Sequence, residues 1–367
     1  MKKLIRAETT TEKGELAAAE VIAAELDRFG VESRIDIWDT NRANIIARIS
    51  SDGERGALLF VCHLDVVGPG EARWEKPAFD AVESDGKIFG RGATDMKGAI
   101  AAIVTAIGQV AESGTRLQGD IILAAAGGEE TDSCGTMRFI RDYGKQLPAL
   151  AGVVITEPTD FAVITAHRGI LWLKVTTKGR TAHSSAPELG VNAISSMKSF
   201  LDEIQNYEIS SEPHKLLGNC SMSINTISGG KEINVIPDAC SISVDIRTLP
   251  AQNHRQFIED FEKIFAKLKQ RNPTFDAEVS IVREVQALET DCSSSFVKDF
   301  CSCLGTGETK AVGFTTDGPY FAALGAPVVI FGPGKPELAH KPNEYIEIAD
   351  LDKAVKYYKN VIHKFLG

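Results

Sequence analysis

The chain has little that would tie it to a membrane, to nucleic acid or to an oxidising compartment. No uninterrupted apolar run approaches the roughly 18 residues that mark a membrane-spanning helix. The N-terminus, "MKKLIRAETTTEKGE", has a basic start but no apolar stretch behind it, so a secretory signal is not expected. Positive charge is in the minority: 40 Lys and Arg face 50 Asp and Glu, a formal net charge of −10. A phosphate backbone wants a basic face, so a nucleic-acid partner is not expected. The seven cysteines are scattered, odd in number and without C-x-x-C spacing. They read as free thiols of a reducing cytoplasm. Internal repeats and low-complexity tracts are also missing. What remains is ordinary globular composition, 43% apolar and 25% charged. At 367 residues the chain suggests about two domains.

Four short apolar runs read as buried strands: "ALLFV" (57–61), "IILAAA" (121–126), "GVVIT" (152–156) and "PVVIF" (327–331). Helical apolar spacing appears at 14–29, at about 96–112 and in the C-terminal "DLDKAVKYYKNVIHKFL". Runs buried on both faces and alternating with helices predict an α/β sheet with substantial parallel content, sandwiched by helices. The middle of the chain differs. Alternating segments at 171–179, 221–229, 239–248 and 277–282 enclose helical segments at 191–207 and 255–270. Ile194, Met197, Leu201 and Ile204 are expected on the inner face of the first helix, and Phe257, Phe261, Ile264 and Leu268 on that of the second. The order β-α-β-β-α-β predicts a ferredoxin-like α+β domain. We therefore expect a domain of residues 170–284 inserted into an α/β domain of residues 1–169 and 285–367.

Each buried run of the first domain hands over to metal-type ligands. "ALLFV" leads to His63 and Asp65, "IILAAA" to Glu129 and Glu130, "GVVIT" to Glu157, and "PVVIF" to "GPGKPELAH" with His340. Asp95 sits in "GRGATDMKG", just before a helix. Singly, each has a local explanation: a helix cap for Asp95, a favourable helix N-terminus for the glutamates, a turn for Glu157, a solvated loop for His340. Together these do not explain why all the groups leave one edge of one sheet, where open α/β sheets bind ligands. Two imidazoles and several carboxylates suit zinc or another first-row divalent ion. The set is large for one tetrahedral ion and fits two sharing a carboxylate. Asp65, two residues beyond His63, is expected to hold the second nitrogen of that imidazole.

"VCHLDVVGPG", "GRGATDMKG", "GGEET", "TEPT" and "HKPNEY", in this order, resemble the M20 family of dizinc amidohydrolases and exopeptidases. The resemblance covers nearly the whole chain, the inserted segment included. It implies that His63, Asp95 and Glu157 bind one ion, and that Asp95, Glu130 and His340 bind the other, with Asp95 bridging. It makes Glu129 the general base and Asp65 the residue that orients His63. In the inserted domain, "GRTAHSSAPELGVNAI" resembles the family's lid segment, placing His183 near the reaction centre, often across a dimer interface. "KEINVIPDACSISVDIRTLP" implies substrate contacts by Asn234 and by Arg247, whose guanidinium suits a carboxylate. "GFTTDGPYF" and Gly332 of "FGPG" would line the pocket. The implied cofactors are two divalent ions, zinc first, with cobalt or manganese as alternatives. The implied partners are a small N-acyl amino acid and a second copy of the chain, joined through the inserted domain. N-Acetylornithine is the first substrate expected. Succinyl-diaminopimelate, acetyl-lysine and short peptides are the alternatives.

Overall fold

The computed structural model describes residues 1–367. The chain forms two compact units, Met1–Thr165 with Thr290–Ala311 and Thr316–Gly367, and Ala166–Glu289 with Val312–Thr315.

The first unit is organised around the central strands of a large sheet. Its centre is four parallel strands, in the order Ile121–Ala126, Ala57–His63, Leu150–Ile155 and Val328–Ile330. The parallel registers pair Phe60 with Leu123 and with Val154, and Val329 with Val154. Every residue of Ala57–His63 and of Ile121–Ala126 is buried, so both faces of the sheet are covered. Antiparallel strands extend the sheet on both sides: Ala43–Ile49 and Ser33–Ile37 beyond Ile121–Ala126, and Ile164–His167 beyond Val328–Ile330. The first two escape the sequence patterns because polar residues break up the run, as in Ser33–Ile37, which buries no residue completely.

Helices Leu16–Arg28, Gly98–Glu112 and Ile348–Leu366 share one apolar core with the central strands, including Phe60, Ile103, Tyr358 and Phe331. The Tyr358 hydroxyl donates to the Phe331 carbonyl at 3.3 Å, giving the one polar atom of that buried ring a partner. A small three-stranded sheet, Val82–Ser84, Lys87–Phe89 and Tyr345–Glu347, ties the segment before Asp95 to the segment after His340. No helix is long and apolar enough to cross a membrane.

The second unit holds a four-stranded antiparallel sheet in the order Ser221–Gly229, Ala239–Thr248, Gly169–Lys178, Asp276–Val285. Numbered along the chain this is 2-3-1-4, the ferredoxin-like arrangement. Helices Ala193–Ile204 and His254–Arg271 cover one face, capped by Asn192 and Asn253 side chains. Ile194 departs from the expected inner face: it is 44% exposed, in the first turn of its helix, and Phe200 is buried instead. Phe257, Phe261 and Leu268 are buried as expected, Ile264 packs against them partly buried, and Phe265 adds to the stripe.

Candidate metal centre

The site lies in the first unit, where the parallel strands end. His63 is the last residue of Ala57–His63, and its backbone N–H donates to Met96 Sδ at 3.2 Å. Glu129 and Glu130 leave Ile121–Ala126 through Gly127 and Gly128. Gly128 has φ +87°, and a Cβ on Gly127 would come within 2.5 Å of the Glu15 carboxyl carbon. Glu15 is itself buried, with Arg42 at 2.8 Å. Glu157 follows Leu150–Ile155, Asp95 occupies the irregular turn Ala93–Lys97 before the Gly98–Glu112 helix, and His340 precedes Tyr345–Glu347.

Asp95 stands between the two imidazoles. Its Oδ1 lies 3.1 Å from His63 Nε2 and its Oδ2 lies 3.2 Å from His340 Nε2. Glu157 Oε1 approaches His63 Nε2 at 3.6 Å, and Glu130 Oε1 approaches His340 Nε2 at 2.9 Å. Two triads result, His63–Asp95–Glu157 and Asp95–Glu130–His340, each with ligand-type atoms within 4.8 Å of one another. One carboxylate is common to both. His63 is buried, while the His340 side chain is 50% exposed, so the site opens on the His340 side.

Asp65 differs from the expectation in detail. The His63 Nδ1 nitrogen is held at 2.9 Å by the Asp65 main-chain carbonyl, with the nearest carboxylate oxygen at 3.7 Å. The carboxylate is engaged elsewhere. Oδ1 accepts the backbone N–H groups of Gly128 (2.8 Å) and Glu129 (3.1 Å), and Oδ2 accepts that of Glu130 (3.0 Å). Asp65 therefore orients His63 through its backbone and folds the Glu129–Glu130 turn through its side chain.

Burial disfavours the His63 imidazolium, but Glu157, Asp95 and Asp65 outweigh it and lift the pKa well above the ordinary histidine value. Hydrogen bonds to Asp95 and Glu130 push His340 up to about 10. Burial raises Asp95 in principle, yet contacts with His340 and His63 leave it below the usual carboxylate range. Burial, with neighbouring carboxylates adding to it, raises Glu129 and Glu157 well above that range, and Glu130 also rises. Glu129 feels the charges of His63, Asp317, Glu157 and Glu130. Clustered buried carboxylates, whose charges burial and mutual repulsion disfavour, are the donor set a divalent ion neutralises, and the residues fit such ions.

The other expected residues are placed as follows. Gly332 lies against the turn that carries Glu157: a Cβ there would come within 2.6 Å of the Thr156 and Glu157 carbonyl oxygens. His183, Asn234 and Arg247 belong to the second unit. His183 is exposed, with Nδ1 2.7 Å from Ser185 Oγ, and the Asn234 carbonyl accepts the Ser184 N–H at 3.0 Å. Arg247 makes a two-point contact with Asp245, at 2.9 and 3.1 Å. Asp317, within the expected pocket segment, is buried and accepts a hydrogen bond from Thr136 Oγ1 at 2.5 Å. Arg91, Lys97 and Glu344 have no part in the sequence-derived set although all three are buried beside it. Burial pushes the Lys97 amine down to about 7 against the pull of Glu344 and Asp65.

Known proteins resemble this chain over nearly its whole length. A "probable succinyl-diaminopimelate desuccinylase" of Staphylococcus aureus is 30% identical, over 97% of this chain and 94% of that protein. An acetylornithine deacetylase of Myxococcus xanthus is 27% identical, over 100% and 96%. Among solved structures, an M20 family metallo-carboxypeptidase of Sulfolobus solfataricus superposes with a TM-score of 0.79 at 19% identity, covering 99% of this chain and 97% of that one. The model of peptidase family M20/M25/M40 matches residues 59–364, and the chain belongs to that family.

Proposed function

We propose that the protein hydrolyses the amide bond of an N-acyl amino acid, with N-acetylornithine as the first substrate to test. The observation that carries this reading is the position of Asp95, one carboxylate oxygen facing each imidazole, with Glu129 on the Asp65-bound turn and close enough to feel the charges of His63 and Glu157. His63, Asp95 and Glu157 would hold one divalent ion, and Asp95, Glu130 and His340 the other. Bound there, the ions supply Lewis acidity towards the substrate carbonyl and towards water. Glu129 accepts the proton of the attacking water and returns it to the leaving amine. Asp65 keeps Glu129 and Glu130 in register by binding their backbone N–H groups. In the same reading His183 stabilises the developing oxyanion. Arg247 and Asn234 hold the substrate, and Gly332 lets the pocket wall approach the Glu157 turn. Zinc is the first metal to test, then cobalt and manganese.

Desuccinylation of succinyl-diaminopimelate is the second reading, favoured by the name of the Staphylococcus aureus relative. The chain is also proposed to act as a homodimer through the second unit. The strand Ser221–Gly229 is an edge of its sheet, and it leaves Ile224 39% and Ile227 60% exposed. The seven cysteines, all unpaired, suit a reducing cytoplasm. The test is amine release from acetylornithine, acetyl-lysine, succinyl-diaminopimelate and dipeptides by zinc- or cobalt-loaded protein. Acetylornithine as the best substrate supports the first reading. Preference for the succinyl compound selects the second, and preference for dipeptides rejects both.

A further inference from the structure

Two buried charges that take no part as ligands lie between the loops that present Asp95 and His340. Arg91 and Glu344 are 2% and 1% exposed, and their side chains meet at 2.6 Å. Attraction between two buried charges seldom recovers their desolvation cost by itself, so what else they bind matters more than the pair. Glu344 accepts four hydrogen bonds. Its Oε1 takes the backbone N–H groups of Thr94 (2.8 Å) and Asp95 (3.0 Å). Its Oε2 takes the Gly92 N–H (3.1 Å) and Arg91 Nη1 (2.6 Å). The turn that delivers Asp95 is thus wrapped around one carboxylate.

Arg91 reaches the other loop. Its Nη2 donates to the His340 carbonyl at 3.2 Å and its Nη1 to the Lys341 carbonyl at 3.3 Å. The guanidinium carbon also stands 5.1 Å from the Trp74 ring centroid. His340 has φ +63°, a conformation that non-glycine residues seldom adopt, and its carbonyl is the one Arg91 holds. The Gly90 N–H to Glu344 carbonyl bond (2.9 Å) and the Thr94 hydroxyl to Tyr345 carbonyl bond (2.6 Å) close the assembly.

We infer that Arg91 and Glu344 are a positioning pair for the two ligand clusters: Glu344 sets the backbone that presents Asp95, and Arg91 couples that turn to the backbone that presents His340. The inference rests on the two-ion reading above. It adds an asymmetry. Asp95 serves both clusters, so Glu344 acts on both. His340 serves one, so Arg91 acts chiefly on the cluster of Asp95, Glu130 and His340.

The test is stepwise titration of metal-free, full-length protein with cobalt(II) or zinc against a chromophoric chelator, with near-UV circular dichroism reporting the fold. Outer contacts of this kind are worth about 10–100-fold in metal affinity. R91K keeps a charge beside Glu344 and loses the forked contact. It is expected to weaken one equivalent by about tenfold or more and the other by less than about threefold. E344Q is expected to weaken both. R48K, at a remote Arg48–Asp120 pair, is expected to change neither. If R91K does not fold, the double variant R91Q/E344Q, which leaves no unpaired charge, is expected to weaken both equivalents, one of them more than in E344Q alone; an effect no larger than that of E344Q overturns the role of Arg91. Two unchanged affinities in R91K, or equal weakening of both, overturn the inference. Wild-type protein that takes up fewer than two equivalents overturns the two-ion reading itself, and the positioning role with it.

Discussion

In the first unit the strand Ala57–His63 is buried at every position; in the second, Ala239–Thr248 alternates between buried and open residues. The first pattern belongs to a sheet covered on both faces, the second to a sheet with helices on one face. A sheet covered on both faces leaves its strand ends as the free place for polar side chains: His63 ends its strand, and Glu129, Glu130 and Glu157 follow the ends of theirs. The one-sided sheet has a whole open face, and its polar residues are spread along it. The difference teaches that a rigid, dry scaffold concentrates the metal-binding chemistry, while the one-sided sheet offers surface.

That contrast can be broken in several ways. The largest effect is expected from metal removal. Dialysis against a strong chelator should reduce hydrolysis to background, and zinc or cobalt should restore it; activity that survives demonstrated metal loss contradicts the account. Next are two core truncations. F60A under the metal centre and F261A in the second unit each remove a fully buried ring, at a cost of about 3–5 kcal/mol. Urea denaturation should show comparable destabilisation, but only F60A, whose strand ends at His63, should also weaken metal binding. Equal metal affinity in the two variants would erase the proposed division between scaffold and surface.

A smaller effect is the pH dependence of the metal-free protein. His340 is raised from 6.5 to about 10 by Asp95 and Glu130, so its stabilising contribution is complete below about pH 6.5 and is lost as pH rises through about 10. Glu157, raised by burial, acts in the same direction: the stability it contributes is present below about pH 4.5 and falls as pH rises above it. Asp95, lowered by its two imidazole partners, contributes above pH 3.8 and loses that contribution in acid. The urea midpoint of metal-free protein should therefore fall between pH 6.5 and 10. Bound metal should flatten this slope, because a cation then supplies the charge the protons supplied. A midpoint that rises over the same range in metal-free protein would contradict the pairing of His340 with Asp95 and Glu130.

The sequence made the central strands legible because full burial writes continuous apolar runs. It made the second sheet legible because one-sided burial writes alternation, and residues 221–229 and 239–248 coincide with Ser221–Gly229 and Ala239–Thr248. The antiparallel extension through Ser33–Ile37 and Ala43–Ile49 was hidden by its mixed polar character. Metal-type ligands stand out by residue type and by position after strands. Arg91 and Glu344 do not: a buried arginine and glutamate look like surface charges until the fold closes around them. The available signal is their spacing, Arg91 four residues before Asp95 and Glu344 four residues after His340. The side-chain role of Asp65 was hidden because it depends on three backbone N–H groups more than 60 residues further along the chain.

The central claim is that adjacent glutamates divide the work, Glu130 holding an ion and Glu129 moving a proton. Metal content and turnover measured together on E129Q and E130A test it most directly. The account predicts that E129Q keeps two metal equivalents and loses about 10²–10⁴-fold in turnover. E130A is predicted to lose one equivalent. E129Q losing metal to the same extent as E130A, or retaining near wild-type turnover, would contradict it.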